Sequence, residues 1–125
     1  MQPTNFVVIM TDQHSKKMLG CYGHDQVKTP NLDKFAADGV RFTSAYTNSP
    51  LCVPARSVFV TGRYIHETRC WDNAIAYKGD QKGWQHILPE NGHRCVSIGK
   101  LHYRSEADPI GFDERQVPMH IADGV

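Results

Sequence analysis

Long apolar runs, clustered basic residues and paired cysteine motifs are all missing from this chain of 125 residues. No stretch approaches the roughly 20 consecutive apolar residues that a membrane-spanning helix needs. Lys and Arg number 14 against 13 Asp and Glu, a formal net charge of +1, and they are scattered along the chain. The electrostatic footprint of a nucleic-acid or anionic-membrane binder is therefore absent. The four cysteines, Cys21, Cys52, Cys70 and Cys95, form no C-x-x-C pair, and seven histidines add no spacing typical of a zinc site. Met1-Gln2-Pro3-Thr4-Asn5 has neither the basic region nor the apolar stretch of a secretory signal. Reduced thiols and a cytoplasmic location are the resulting expectation. No internal repeat or low-complexity segment is present.

What the chain does hold is an alternation of strand and helix signals. Phe6-Val7-Val8-Ile9-Met10 is a short apolar run rich in β-branched residues, which predicts a strand buried on both faces of a parallel sheet. Thr11-Asp12-Gln13-His14 would then fall at the carboxyl end of that strand, where open α/β sheets collect ligands. Residues 29–39 carry a capping threonine, an early proline, apolar Leu32, Phe35 and Ala36, and a terminal glycine, the pattern of a helix. Residues 40–46 alternate and predict a second strand. A helix ended by Gly62 follows, then an irregular polar loop over residues 63–82, a short or bent helix around Trp84 to Pro89, and a third strand over residues 94–99. Residues 103–125 show no strong periodicity.

The segment Ser49-Pro50-Leu51-Cys52-Val53-Pro54-Ala55-Arg56 concentrates the chemistry. Proline is favoured at the first helical position, so Pro54 predicts a helix start with Cys52 at its mouth. Free N–H groups and the positive end of the helix dipole face an anion bound there. Arg56, four residues on, returns to the same face with a guanidinium fork suited to sulfate or phosphate oxygens. Asp12 and Gln13 offer a carboxylate and an amide oxygen, donors suited to a hard divalent cation. Lys100 and His102, two apart at the exit of the third strand, project to one side if the extended geometry persists through Leu101.

The C-x-P-x-R pattern of residues 52–56 resembles the signature of the formylglycine-dependent sulfatases. Asn5-Phe6-Val7-Val8-Ile9-Met10-Thr11-Asp12-Gln13, Thr29-Pro30-Asn31-Leu32-Asp33 and Gly99-Lys100-Leu101-His102 are similar to further family segments in the right order. Trp71-Asp72-Asn73-Ala74 and Gly111-Phe112-Asp113-Glu114-Arg115 look like the choline-sulfatase branch. The resemblance implies an alkaline-phosphatase-like α/β sandwich with a largely parallel central sheet, of which residues 1–125 are the N-terminal portion of the catalytic domain. It implies that Cys52 is oxidised to formylglycine by a formylglycine-generating enzyme. Asp12, Gln13 and the modified Cys52 would ligate a divalent metal, calcium first, with manganese or magnesium as alternatives.

On the same basis Arg56 would stabilise the hydrated aldehyde, Lys100 would hold a sulfate oxygen, and His102 would orient a hydroxyl or move a proton. Asn73 is a candidate for the substrate pocket, and could equally be a turn residue. His14, Trp71 and Tyr103 are candidate pocket walls or packing residues; an aromatic there would suit a quaternary ammonium. The expected function is hydrolysis of a small-molecule sulfate ester, choline sulfate above all. A phosphonate monoester or phosphodiester hydrolase of the same superfamily, and a non-catalytic truncated fragment, remain as alternatives. The second pair of metal ligands and the later Lys and His of the family have no counterpart in residues 103–125, where Asp108, Asp113 and Asp123 stand in other contexts. These 125 residues alone are thus expected to have no turnover, and a homo-oligomer stays open for the full-length protein.

Overall fold

The computed structural model describes residues 4–121 and divides between Ala45 and Tyr46 into two compact units. The N-terminal positions 1–3 and the segment 122–125, with Asp123, lie outside the described residues.

In the first unit, two 3-10 turns, Lys16–Met18 and Gly20–Tyr22, precede helix α1, Pro30–Asp38. Pro30 is the first helical residue, where its missing N–H costs nothing. Thr29 precedes the helix but does not cap it with its side chain. Its Oγ1 instead accepts the Gly20 N–H at 2.9 Å, and Asp33 Oδ1 accepts the Cys21 N–H at 2.6 Å. The same chain therefore spends its capping groups on fastening the 3-10 turn to the helix. The expected strands at residues 6–10 and 40–46 do not form: both stretches lack regular structure, and Phe6, Val7, Val8 and Ile9 are all more than half exposed. A parallel strand draws its hydrogen bonds from neighbours. Among the described residues no strand pairs with either stretch.

The second unit carries helix α2, Cys52–Thr61, helix α3, Ile65–Thr68, and helix α4, Trp84–Glu90. Strands β1, Val96–Lys100, and β2, Glu114–Met119, pair in parallel. Helix α2 turns Val53, Ser57 and Val60 inward, the i, i+4, i+7 face of a helix. Val53 and Val60 join Cys70, Tyr77, Tyr103 and Ile110 in the core. Tyr77 and Tyr103 meet edge to face at 5.0 Å, and Trp84 packs edge-on against Phe59 and Phe112. Gly62 takes a left-handed conformation at φ 67° and its N–H returns to the Val58 carbonyl, closing α2. Gly83, just before α4, is there for room: a Cβ at that position would stand 2.2 Å from the Val60 carbonyl oxygen.

Three expectations change here. Helix α2 begins at Cys52, two residues ahead of Pro54, because the third helical N–H is still unpaired in any helix and its loss to proline is harmless. The loop over residues 63–82 contains α3, started by the Tyr64 N–H bonding to Glu67 Oε2 at 2.8 Å. Residues 103–125 contain β2, whose charged residues and Pro118 hid it from any periodicity. Pro89 is tolerated one residue from the end of the seven-residue α4.

Candidate functional site

Cys52 is the first residue of α2 and is half-buried. Leu51 precedes it in an extended conformation, with its carbonyl accepting the Ala55 N–H at 2.9 Å and no side-chain cap of its own. Proline at the third position leaves Cys52 and Val53 as the backbone N–H groups at the mouth. The Val53 N–H is accepted by Asn73 Oδ1 at 3.1 Å. Asn73 thus caps a helix that starts twenty-one residues before it, a role that the sequence alone did not reveal. The Asp72-Asn73 dipeptide, read as a turn or a pocket residue, is a turn that delivers an amide to α2.

Arg56 lies one turn further along α2, half-buried, and its Nη1 donates to the Lys100 carbonyl oxygen at 2.5 Å. The motif helix and the Gly99-Lys100-Leu101-His102 segment therefore meet, through the end of β1. Lys100 closes β1, but the extended geometry does not persist beyond it. Gly99 has φ 85° and His102 has φ 58°, both left-handed, so the alternation expected to align Lys100 with His102 is broken. A bulge between Ile98 and Lys100 sets one residue of β1 against two of β2. What fixes His102 is instead its backbone: the N–H donates to the Met119 carbonyl at 2.7 Å.

Tyr103, a candidate pocket wall, is a core residue, 4% exposed, with Tyr77 edge-on to its ring and His120 tilted against it. Burial pushes its hydroxyl well above the usual phenol range, Tyr77 adds to this, and the nearby Arg56 charge opposes it. Trp71 is 51% exposed beside the Asp72 turn. Cys70 and Cys95 are buried, and burial raises both thiols; Asp113 adds to the effect at Cys95. Neither has the character of a reactive thiolate.

Asp12, Gln13 and His14 belong to the first unit, exposed and after the irregular 6–10 stretch rather than at a strand end. Gln13 sits in the left-handed region at φ 54°. Among the described residues no group of three or more His, Cys, Asp or Glu side chains is arranged to hold a metal ion. Nor is any helix among them long and apolar enough to cross a membrane.

A family model described as Sulfatase matches residues 4–102. The N-acetylglucosamine-6-O-sulfatase of Bacteroides thetaiotaomicron is 38% identical over 109 residues, which are 87% of this chain and 19% of that protein. The choline-sulfatase of Rhizobium meliloti is 36% identical over 111 residues, 89% of this chain and 22% of that protein. A solved structure of a protein in complex with its substrate, D-glucosamine-2-N,6-O-disulfate, superposes with a TM-score of 0.80 at 39% identity, covering 85% of this chain and 21% of that one. The parallel pair with its helices is thus part of an alkaline-phosphatase-like α/β fold. The chain spans about a fifth of the length of these curated relatives.

Proposed function

Because this chain belongs to the sulfatase family, we propose that residues 1–125 are the N-terminal portion of the catalytic domain of a metal-dependent, cytoplasmic sulfuric ester hydrolase. The observation that carries the reading is the junction of α2 with β1, where Arg56 at the helix start holds the Lys100 carbonyl. It joins the helix that starts at Cys52 to the end of β1, from which the Lys100-to-His102 turn leaves.

Cys52 is half-buried rather than sealed in the core, as a side chain that is to be modified and then meet substrate must be. Converted to formylglycine, it would supply a hydrated aldehyde, one hydroxyl of which would attack sulfur and displace the substrate's alcohol, which takes up a proton, while the second would lose its proton so that sulfate departs and the aldehyde is restored. A divalent metal, calcium by preference, would polarise the sulfate oxygens. Asp12 and Gln13 present hard oxygen donors for it, and two side chains are fewer than the six or more oxygens calcium takes. The rest of that ligand set would have to come from outside the described residues.

The α2 amino end and the Arg56 charge favour the anion before and during reaction. Lys100 would hold a sulfate oxygen, and His102 would hold or move a proton at the group derived from Cys52. The amide nitrogen of Asn73, whose oxygen is committed to Val53, is a donor for substrate at the same mouth. For the leaving group we propose choline. Trp71, half exposed next to the Asp72 turn, gives a face for a quaternary ammonium. Parallel assay of the full-length protein on choline sulfate, a glucosamine 6-sulfate, a phosphonate monoester and a phosphodiester tests this. Fastest turnover of choline sulfate is expected; preference for either phosphorus ester would overturn the sulfatase reading.

A further inference from the structure

We propose that Asp72 is a positioning residue for the Cys52 site, acting through Asn73 on the first turn of α2. The catalytic part of this inference rests on the sulfatase reading; the structural part does not. Helix α2 has no cap of its own, since Leu51 brings no polar side chain to its start. The acceptor comes from Asn73, and nothing in an isolated Asn side chain would hold it there. Asp72 does so. Its Oδ1 accepts the N–H of Ala74 at 2.8 Å and of Ile75 at 3.1 Å, closing an Asx turn around Asn73.

Both ends of this turn are rooted in the second unit. Upstream, buried Cys70 bonds through its N–H to Thr68 Oγ1 at 3.4 Å, and that hydroxyl meets Ser57 of α2 at 3.4 Å. Downstream, Ala76 packs on the core and Tyr77 is 2% exposed. The turn cannot drift without dragging buried residues, so the Asn73 amide is aimed at Val53, the neighbour of Cys52. The division of labour between the two residues has an electrostatic logic. A carboxylate at position 73 would cap α2 as well as an amide, but it would place a negative charge beside the seat of an anion. The charge is kept one residue back, at 72, where backbone N–H groups absorb it.

The test uses Asp72→Ala, Asp72→Asn and Asn73→Ala in the full-length protein. Three quantities are read: sulfate-ester turnover, amide hydrogen exchange in the peptide of residues 51–56, and the thermal midpoint. Asp72→Ala is expected to lower kcat about tenfold with KM within about twofold, as for removal of an orienting partner. It should also speed exchange at Val53 while moving the thermal midpoint by only a few degrees. Asp72→Asn keeps an acceptor oxygen and should restore both kcat and exchange. Asn73→Ala should show the same faster exchange. Unchanged Val53 exchange in Asp72→Ala or Asn73→Ala, or equal damage from Asp72→Asn, would overturn the proposal. If the parent protein cleaves no sulfate ester, the functional reading fails, and the exchange comparison still decides the capping role by itself.

Discussion

Arg56 grips the Lys100 carbonyl oxygen through Nη1 at 2.5 Å, across forty-four residues of sequence. A hydrogen bond from a charged donor to a main-chain oxygen is among the stronger polar contacts of a fold. The same guanidinium also supplies the positive field at the mouth of α2, and lies close enough to Tyr103 to act on its hydroxyl. One side chain thus ties the end of β1 to the helix that begins at Cys52.

Replacement of Arg56 tests these effects together. Arg56→Ala in the full-length protein should lower kcat by about 10²–10³, the cost of losing one preorganised donor at a developing charge. Arg56→Lys should recover little, because a single ammonium cannot serve the carbonyl and the anion together. Steady-state kinetics on a sulfate ester decide both.

Cys52→Ala should abolish sulfate release while leaving the far-ultraviolet circular dichroism unchanged, since alanine is at home in a helix start with its cap supplied from Asn73. Retention of turnover in that variant would remove position 52 from the chemistry.

The remaining thiols are predicted to be inert in a graded way. Burial raises Cys70 and Cys95, so at neutral pH each stays protonated and shielded. Alkylation followed by mass spectrometry should label Cys21, which is only half-buried, before either of them. Cys70 and Cys95 should react at comparable speed only after denaturant is added.

Asp108 gives the stability a dependence on acid. Its carboxyl is held below the usual carboxylate range, first by the hydrogen bond from Arg104, against a smaller opposing effect of burial. A carboxylate whose folded value is depressed stabilises the native state above its unfolded value, about 4. That contribution is lost as pH falls through the folded value. Thermal midpoints of the wild type and Asp108→Asn should therefore converge as the pH drops from 5 toward 3, with the wild type the more stable at pH 5.

Gly83→Ala should destabilise the protein by about 1–3 kcal/mol, as overpacking does in a filled interior. The added methyl would collide with the Val60 carbonyl oxygen, which is backbone and cannot swing aside. Urea unfolding of the variant beside the parent measures the difference.

Local punctuation made much of this chain readable in advance. Pro30, Gly62 and the β-branched Val96 and Ile98 mark α1, the end of α2 and β1, because each acts on its own stretch of backbone. That Cys52 and Arg56 share one helix, a turn apart, was legible for the same reason. What depends on distant partners was not. The 6–10 stretch has the composition of a buried strand and no strand beside it among the described residues. Strand β2 exists because β1 offers it a ladder, in spite of Pro118 and its charges. The Asn73 cap spans twenty residues, and no spacing rule reaches that far.

The bulge that sets Val117 and Pro118 against Gly99 also has a bearing on heredity. His102 takes its backbone bearing from Met119, so the final part of β2 works as a ruler laid against the Lys100-to-His102 turn. Removing one residue from that ruler would invert every side chain after it. Frame-preserving insertions and deletions within residues 116–119 should be purged from descendants of this gene.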